Sequence, residues 1–358
     1  MRAVSLDLFL LRMPKVELHV HLEGAMRPAV LLELARRNGI DLPARDEVGL
    51  RRWYRFRNFE QFVQVYLTCS RALRHPEDFQ LLVSDFLAEQ AYQNILYTEA
   101  HFTISTHLAN GADGGEILAA LEEAIREGEK RFGVTLRLIP DIVRNVGRVP
   151  ADQTLEWALA GRDRGVVVAL GLSGSEASYP NEPFREHFAA AERHGLHRVA
   201  HAGEHAGPAS IRSVLEVCGA ERIGHGVRAV EDPGLVRELA ERRIPLEVCP
   251  TSNLCLGVFP DLQSHSFDRL YRSGVPLTVS SDDPAFFNTN LTREYLRLHQ
   301  TFGYGPAELA GLSLAGLRYA FLNPEQRAVL EERFRSRFDS LGRQAFGEPV
   351  APVQPVAS

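Results

Sequence analysis

Eight short apolar runs recur along the chain, and each is bounded by turn-forming or polar residues. Many of their residues are β-branched, which is typical of buried strands. The runs begin at Val16, Asn94, Thr135, Val166, His197, Arg222, Ile244 and Pro276. Between them lie segments such as 114–132, 182–195 and 232–243, whose apolar residues recur at intervals of three and four. This is the period of an amphipathic helix, so the chain is predicted to alternate strand and helix.

From the second run onward, the starts of the runs are about 20 to 40 residues apart, the length of one strand and one helix. Eight such units predict an α/β protein, a closed parallel (β/α)8 TIM barrel. An open doubly wound sheet is the alternative, and it would place a glycine-rich phosphate-binding turn after an early strand. The first run is instead followed by HLEGAMRP, which is not a GxGxxG motif.

The gap between the first and second runs is about 80 residues, too long for a single crossover helix. It contains the aromatic segment RRWYRFRNFEQFVQVYL, so we expect a helical insertion over about 24–93. Because βα loops cover the carboxyl end of a barrel, the insertion could cap a pocket there; extra core packing is the alternative. We expect residues 1–347 to form one barrel domain and the proline-rich residues 348–358 to form a flexible tail.

The composition excludes several classes of protein. The 358 residues are 45% hydrophobic and 24% charged, enough for a large core. A formal net charge of −6 argues against a nucleic-acid surface and favours a small-molecule substrate. No run approaches the ~20 apolar residues of a membrane span, and Asp7 interrupts the apolar amino-terminal stretch, so we expect no membrane association and no signal peptide. Four cysteines without a CxxC pair favour a reduced, cytoplasmic protein, and the oligomeric state stays open.

Polar residues with metal-binding chemistry lie at the ends of the predicted strands. Residues two apart share one face of a strand, so VELHVHLEG places alternate polar residues on one side: Glu17, His19, His21 and Glu23. Later strands end in His201 (HAGEH), His225 (RIGHG), Asp282 and Asp283 (SSDDP). Singly, each has an ordinary explanation, as a hydrogen-bonded histidine or a helix cap. Together they would meet at the carboxyl end of the barrel, which favours a metal site.

The types of ligand indicate the metal and its chemistry. Three imidazoles and one carboxylate suit zinc or another first-row divalent ion, whereas calcium and magnesium prefer oxygen ligands. Such an ion generates a nucleophile by lowering the pKa of water. Glu204 is a candidate general acid or base, with a surface glutamate as the alternative, and His225 could hold the water. Of the paired aspartates, one could bind the metal and the other a substrate donor.

As a set, the motifs resemble those of the adenosine deaminase branch of the amidohydrolase superfamily. MPKVELHVHLEGA, GLSGSE, HAGE, RIGHG, CPTSN and SSDDP occur in that family's order, and the resemblance covers roughly residues 13 to 340. It implies a (β/α)8 barrel with one zinc ion per chain, bound by His19, His21, His201 and Asp282. It also implies that Glu204 protonates ring N1 of a 6-aminopurine as hydroxide attacks C6, while His225 orients and helps to activate the water. Asp283 would face N7, and the backbone of Gly174 would meet N3.

Two departures from the family pattern concern the substrate. Adenosine deaminases usually have HLDG, whose aspartate helps to hold the ribose, where this chain has HLEG with Glu23. SSDDPAFF likewise replaces the usual NTDDP but keeps both aspartates. The glutamate form is familiar in adenine deaminases and in members that act on modified nucleosides such as aminodeoxyfutalosine, a menaquinone precursor. We therefore expect a 6-aminopurine nucleoside as substrate, with free adenine as the alternative.

Three other functions are disfavoured. A binuclear hydrolase of the same superfamily commonly needs a bridging carboxylated lysine on the fourth strand, where VVVALGLSGSE has none; the only lysines are Lys15 and Lys130. The zinc deaminases with H-x-E and P-C-x-x-C motifs are excluded, because VCPTSNLC spaces its cysteines six apart. An inactive nucleoside-binding barrel would be expected to lose a ligand or the acid, yet every matching position is filled.

Overall fold

Eight parallel strands form one sheet in the computed structural model, which describes residues 2–56 and 59–353. The strands are β1 Lys15–His21, β2 Ile95–Phe102, β3 Thr135–Val143, β4 Ala169–Ser173, β5 His197–Ala202, β6 Arg222–His225, β7 Leu246–Val248 and β8 Leu277–Val279. Each pairs with the next in chain order. The sheet closes between β1 and the end of β8, where Val20 pairs with Asp282. The predicted TIM barrel is confirmed, and each of the eight apolar runs overlaps one strand.

Helices surround the barrel. In chain order they are α1 Arg2–Arg12, α2 Pro28–Asn38, α3 Glu47–Trp53, α4 Phe59–Ser70, α5 Pro76–Tyr92, α6 Ile104–Ala109, α7 Gly114–Phe132, α8 Arg148–Asp163, α9 Arg185–Arg193, α10 Pro208–Val217, α11 Pro233–Glu241, α12 Pro250–Cys255, α13 Phe267–Arg272, α14 Leu291–Phe302, α15 Pro306–Tyr319 and α16 Pro324–Phe346. Short 3-10 helices span Glu23–Ala25, Arg144–Val146, Glu182–Phe184 and Val227–Glu231. None of the described helices is long and apolar enough to cross a membrane.

Helices α2 to α5 lie between β1 and β2, in the segment predicted as a helical insertion. Its aromatic residues pack on the segment that follows β8. The ring of Phe62 stacks on Phe287 with centroids 5.6 Å apart, and Tyr54 meets Phe286 edge-on at 4.9 Å. The insertion therefore adds core packing and also covers the carboxyl end of the barrel. Arg57 and Asn58, within the predicted aromatic segment, lie outside the described residues.

The two ends of the chain meet on the outside of the barrel. Phe9 of α1 packs on Phe346 of α16, with ring centroids 5.4 Å apart. Beyond α16, Val350 is buried and the backbone N–H of Val353 donates to the carbonyl of Ala307 at 3.0 Å. The first part of the predicted tail is thus packed against the barrel, whereas 354–358 lie outside the described residues. The domain limits stay a prediction.

Buried charge ties the barrel strands together from within. Arg222 of β6 is fully buried and lies between the carboxylates of Glu99 on β2 and Glu247 on β7. The guanidinium also stacks over the ring of Phe321, 3.8 Å from its centroid. An unpaired charge in this position would be strongly destabilising, so the fold depends on all three side chains being present.

Candidate active site

Four predicted ligands converge at the carboxyl end of the barrel. One ligand atom from each of the four residues lies within 4.8 Å of all the others: His19, His21, His201 and Asp282. The Nε2 atoms of His21 and His201 face each other at 3.2 Å, and Asp282 Oδ1 lies 3.3 Å from His21 Nε2 and 3.5 Å from His19 Nε2. The buried His19 Nε2 has no hydrogen-bond partner among the described residues. Nitrogens and a carboxylate oxygen that point at one position fit a divalent ion.

The backbone is strained at two of the site residues. Asp282 has φ 63° and His225 has φ 62°, in the left-handed region that residues other than glycine rarely adopt. The strain at Asp282 is held by β1, because its N–H donates to the carbonyl of His19 at 3.1 Å and its carbonyl accepts from His21 at 2.8 Å. Such conformations cost about 1–3 kcal/mol each and cluster at functional sites.

A buried carboxylate sets the tautomer of His19. Glu247 Oε2 lies 2.8 Å from His19 Nδ1, so it accepts the Nδ1 proton and leaves Nε2 free to bind a metal. Burial alone would raise the pKa of Glu247, but the charge of Arg222 and the hydrogen bond to His19 lower it to about 2. Gly224 leaves room for the ring, since an added Cβ would lie 2.6 Å from His19 Cε1. Sequence reasoning missed Glu247 and Arg222.

Asp141 and His101 hold the other side of the cluster and were also missed. Asp141 Oδ1 lies 2.9 Å from His101 Nδ1, and its Oδ2 lies 3.9 Å from His21 Nδ1. The rings of His101 and His21 stack with centroids 4.9 Å apart. His201 Nδ1 lies 3.0 Å from the carbonyl of Leu172, so it donates there and turns Nε2 inward. Each of the three histidines is thus oriented by a partner outside the cluster.

Asn253 joins the two residues predicted to move protons. Its side-chain amide lies 3.2 Å from both Glu204 Oε1 and His225 Nδ1, and its oxygen lies 3.1 Å from Nε2 of His265. Burial is the main cause that lowers the pKa of His225, so the imidazole is neutral and can accept at Nδ1. The proton then lies on Nε2, which is 3.9 Å from Asp282 Oδ2. Asn253 ends the CPTSN motif, but its role could not be assigned from sequence.

Glu176, in the GLSGSE motif, fixes the loop that carries Glu204. Its carboxylate accepts from four successive backbone N–H groups, those of Gly203, Glu204, His205 and Ala206. Charge-assisted hydrogen bonds of this kind are about twice as strong as neutral ones. Sequence reasoning placed no role on Glu176, because the contact joins positions that only the fold brings together.

The three predicted substrate residues follow the carboxyl ends of strands β1, β4 and β8. Asp283 is buried, its Oδ1 has no partner among the described residues, and burial and the neighbouring Asp282 raise its pKa. Gly24 makes this possible, since an added Cβ would lie 1.7 Å from Asp283 Oδ1. Gly174 follows β4 with φ 90°. Glu23 is buried, and its Oε1 accepts from the Thr103 N–H at 2.8 Å.

The lysines lie away from the cluster. Lys15 is at the opposite end of β1, where its amino group donates to the carbonyls of Leu10 at 2.7 Å and Met13 at 2.8 Å. Lys130 is on α7, outside the barrel. A lysine-bridged pair of metals therefore has no lysine to bridge it.

A parallel eight-stranded barrel that gathers three histidines and an aspartate at its carboxyl end is the architecture of the metal-dependent amidohydrolases. The sequence model of the adenosine deaminase family matches residues 14–336, and the chain belongs to that family. This confirms the resemblance drawn from the motifs. The protein is therefore a hydrolytic deaminase that acts on a purine.

Known proteins similar to the chain span nearly its whole length. An adenine deaminase of Albidiferax ferrireducens is 41% identical over 327 residues, 91% of this chain and 94% of that protein. An aminodeoxyfutalosine deaminase of Streptomyces coelicolor is 37% identical over 329 residues, 92% of this chain and 85% of that protein. The crystal structure of an amidohydrolase from Burkholderia ambifaria with bound zinc superposes with a TM-score of 0.88 at 25% identity, covering 96% of this chain and 95% of that one.

Replacing Glu247 by glutamine should weaken metal binding. Glu247 accepts from His19 with one oxygen and from Arg222 with the other. Glutamine has only one oxygen, so it cannot serve both partners and the His19 tautomer is no longer fixed. Loss of such a partner typically lowers metal affinity about 10- to 100-fold. Competition with a chelator measures the Kd for zinc, and Glu241→Gln, an exposed residue of α11, is the control. An unchanged Kd in folded Glu247→Gln would contradict this role.

Proposed function

We propose that the protein catalyses hydrolytic deamination of a 6-aminopurine nucleoside, yielding the 6-oxopurine nucleoside and ammonia. The observation that carries the proposal is the cluster of four ligand atoms beside the buried carboxylate of Glu204. A metal held by these ligands can activate water, and the neighbouring carboxyl group of Glu204 can protonate the purine ring. No nucleic acid or membrane is required as a partner, and a cytoplasmic location stays a prediction.

The proposed cofactor is one zinc ion per chain, held by the four ligands His19, His21, His201 and Asp282. Three imidazoles and one carboxylate form the donor set that zinc favours, and zinc is bound in the similar Burkholderia ambifaria amidohydrolase. When bound, zinc supplies Lewis acidity and lowers the pKa of water to about 7.

The surrounding residues supply protons and orientation. Glu204 gives the proton of its carboxyl group to ring N1, which makes C6 electrophilic while water adds there. Neutral His225, held at Nδ1 by Asn253, directs its Nε2–H towards the attacking oxygen. Asp283, whose raised pKa keeps it protonated, donates to ring N7, and the backbone at Gly174 faces N3. The 6-amino group leaves as ammonia.

Glu23 bears on the choice of substrate. Its Oε1 is occupied by Thr103 and by His107, at 3.1 Å, whereas its buried Oε2 has no partner among the described residues. A buried acceptor without a donor is costly, and a ribose hydroxyl of a bound nucleoside would satisfy it. Adenosine and aminodeoxyfutalosine both offer such hydroxyls, and the Streptomyces coelicolor relative acts on the latter according to its name.

Free adenine is the second candidate. Glu23 is one methylene longer than the aspartate usual in adenosine deaminases and so leaves less space for a ribose. The N9–H of the free base could donate to the same Oε2 atom. The relative that is 41% identical is named an adenine deaminase, and this sequence similarity is a second, independent observation that favours adenine.

Substitution of Glu204 by glutamine should abolish most turnover while leaving metal bound. A missing proton donor typically costs 10²-fold or more in kcat, and the amide keeps the size of the side chain. Ammonia release and zinc content per chain are the measurements. Glu186→Gln, on the outer helix α9, serves as control. Near-normal kcat in Glu204→Gln would show that the reaction does not require this carboxyl group.

A substrate comparison tests the proposed function itself. The zinc-loaded protein is offered adenosine, aminodeoxyfutalosine and adenine, and kcat/KM for ammonia release is compared. We expect kcat/KM for at least one of the two nucleosides to exceed that for adenine by tenfold or more, because each nucleoside gives Glu23 a hydroxyl donor. A tenfold preference for adenine would overturn the nucleoside assignment and support the second candidate. No ammonia release from any of the three would refute 6-aminopurine deamination.

A further inference from the structure

His205 directly follows the proposed acid in the HAGEH segment and contacts it. His205 Nδ1 lies 3.1 Å from Glu204 Oε2, within hydrogen-bond distance. The side chain of His205 is 30% exposed, whereas that of Glu204 is 11% exposed. The Nε2 atom of His205 is buried without a hydrogen-bond partner among the described residues, so the polar contact that the ring makes is with Glu204.

The position of His205 is fixed by contacts on both sides of its backbone. Its N–H donates to Glu176 Oε2 at 3.0 Å, and its carbonyl accepts from Arg228 Nη1 at 2.8 Å. The ring of Phe59, from the helical insertion, lies 5.1 Å away. A partly exposed histidine that is held in this way is aimed at Glu204 by the fold.

The charges around the pair favour a particular distribution of protons. Burial alone would raise the pKa of Glu204, but His225 and His205 lower it below the usual glutamate value. Burial lowers the pKa of His205, yet its hydrogen bond to Glu204 and the charges of Glu204 and Glu176 raise it on balance, against the opposing charge of Arg228. In the free enzyme the pair therefore holds its proton on His205. Glu204 needs that proton to act as an acid.

We propose that His205 stores the proton that Glu204 delivers to the substrate, so that the two residues act as one acid. The proposal rests on the proposed function. When substrate covers the site, the proton passes from His205 Nδ1 to Glu204 Oε2, and the carboxyl group then gives a proton to ring N1. His205 becomes neutral in this step. Water supplies two protons as it adds to C6 and becomes the carbonyl oxygen; one leaves with ammonia and the other restores the pair.

This role predicts a change in the pH dependence of turnover when His205 is replaced by glutamine. Glutamine retains a polar side chain but cannot carry the proton, so Glu204 must hold it alone. Because the pKa of Glu204 is the lower of the two, the proton is lost at lower pH. The alkaline limb of the pH profile of kcat/KM should therefore move to lower pH by about one unit or more. We expect kcat/KM to fall by about tenfold or more at pH 8 and by less near pH 5.5.

The test compares wild type, His205→Gln and His205→Asn on whichever 6-aminopurine the wild type deaminates, with zinc content measured for each protein. His194→Gln, an exposed histidine at the end of α9, is the matched control and should leave the profile unchanged. The shifted limb in both His205 variants supports proton storage. A uniform loss of activity with an unshifted limb means that His205 only packs against Glu204 and Phe59, and overturns the inference. Failure of wild type to release ammonia from any 6-aminopurine would instead overturn the proposed function, and the inference with it.

Discussion

Arg222 lies inside the barrel without access to water, and the carboxylates of Glu99 and Glu247 neutralise it. A charge buried in this way is tolerated only when it is paired and hydrogen-bonded, so strands β2, β6 and β7 must stay in one register. Glu247 uses its second oxygen to hold His19. The same interaction that stabilises the core therefore decides which nitrogen of His19 faces the metal site.

The rest of the site repeats this arrangement, in which a buried or backbone partner fixes each reactive group. Glu176 binds the loop of Glu204 through four backbone N–H groups, and Asn253 holds Glu204 and His225 together. The left-handed backbone of His225 and Asp282 costs energy that these contacts must offset. Because the groups are held before substrate arrives, little reorganisation remains for the reaction itself.

The sequence predicted the barrel, and it placed His19, His21, His201 and Asp282 at strand ends that the fold gathers together, because both predictions depend on local patterns. Apolar runs of strand length, spaced by helices, located all eight strands, and the alternation in VELHVHLEG placed His19 and His21 on one face. The partners Glu247, Glu176 and Asp141 were missed, because each acts through a contact between distant positions. Barrel strands are buried on both faces, so alternation alone cannot distinguish a charged residue in the interior from one at the mouth. Helix α1 was missed as well, since its apolar stretch is stabilised by packing on α16.

We propose that these contacts preorganise a single metal centre. The most direct measurement removes metal from the protein with a chelator, returns zinc in known amounts, and follows ammonia release from the preferred 6-aminopurine. We expect no turnover without metal, a linear rise with added zinc, and a plateau at about one ion per chain, since the described residues gather one set of three histidines and an aspartate. Turnover in the metal-free protein, or a plateau that requires two ions per chain, would contradict a single metal centre.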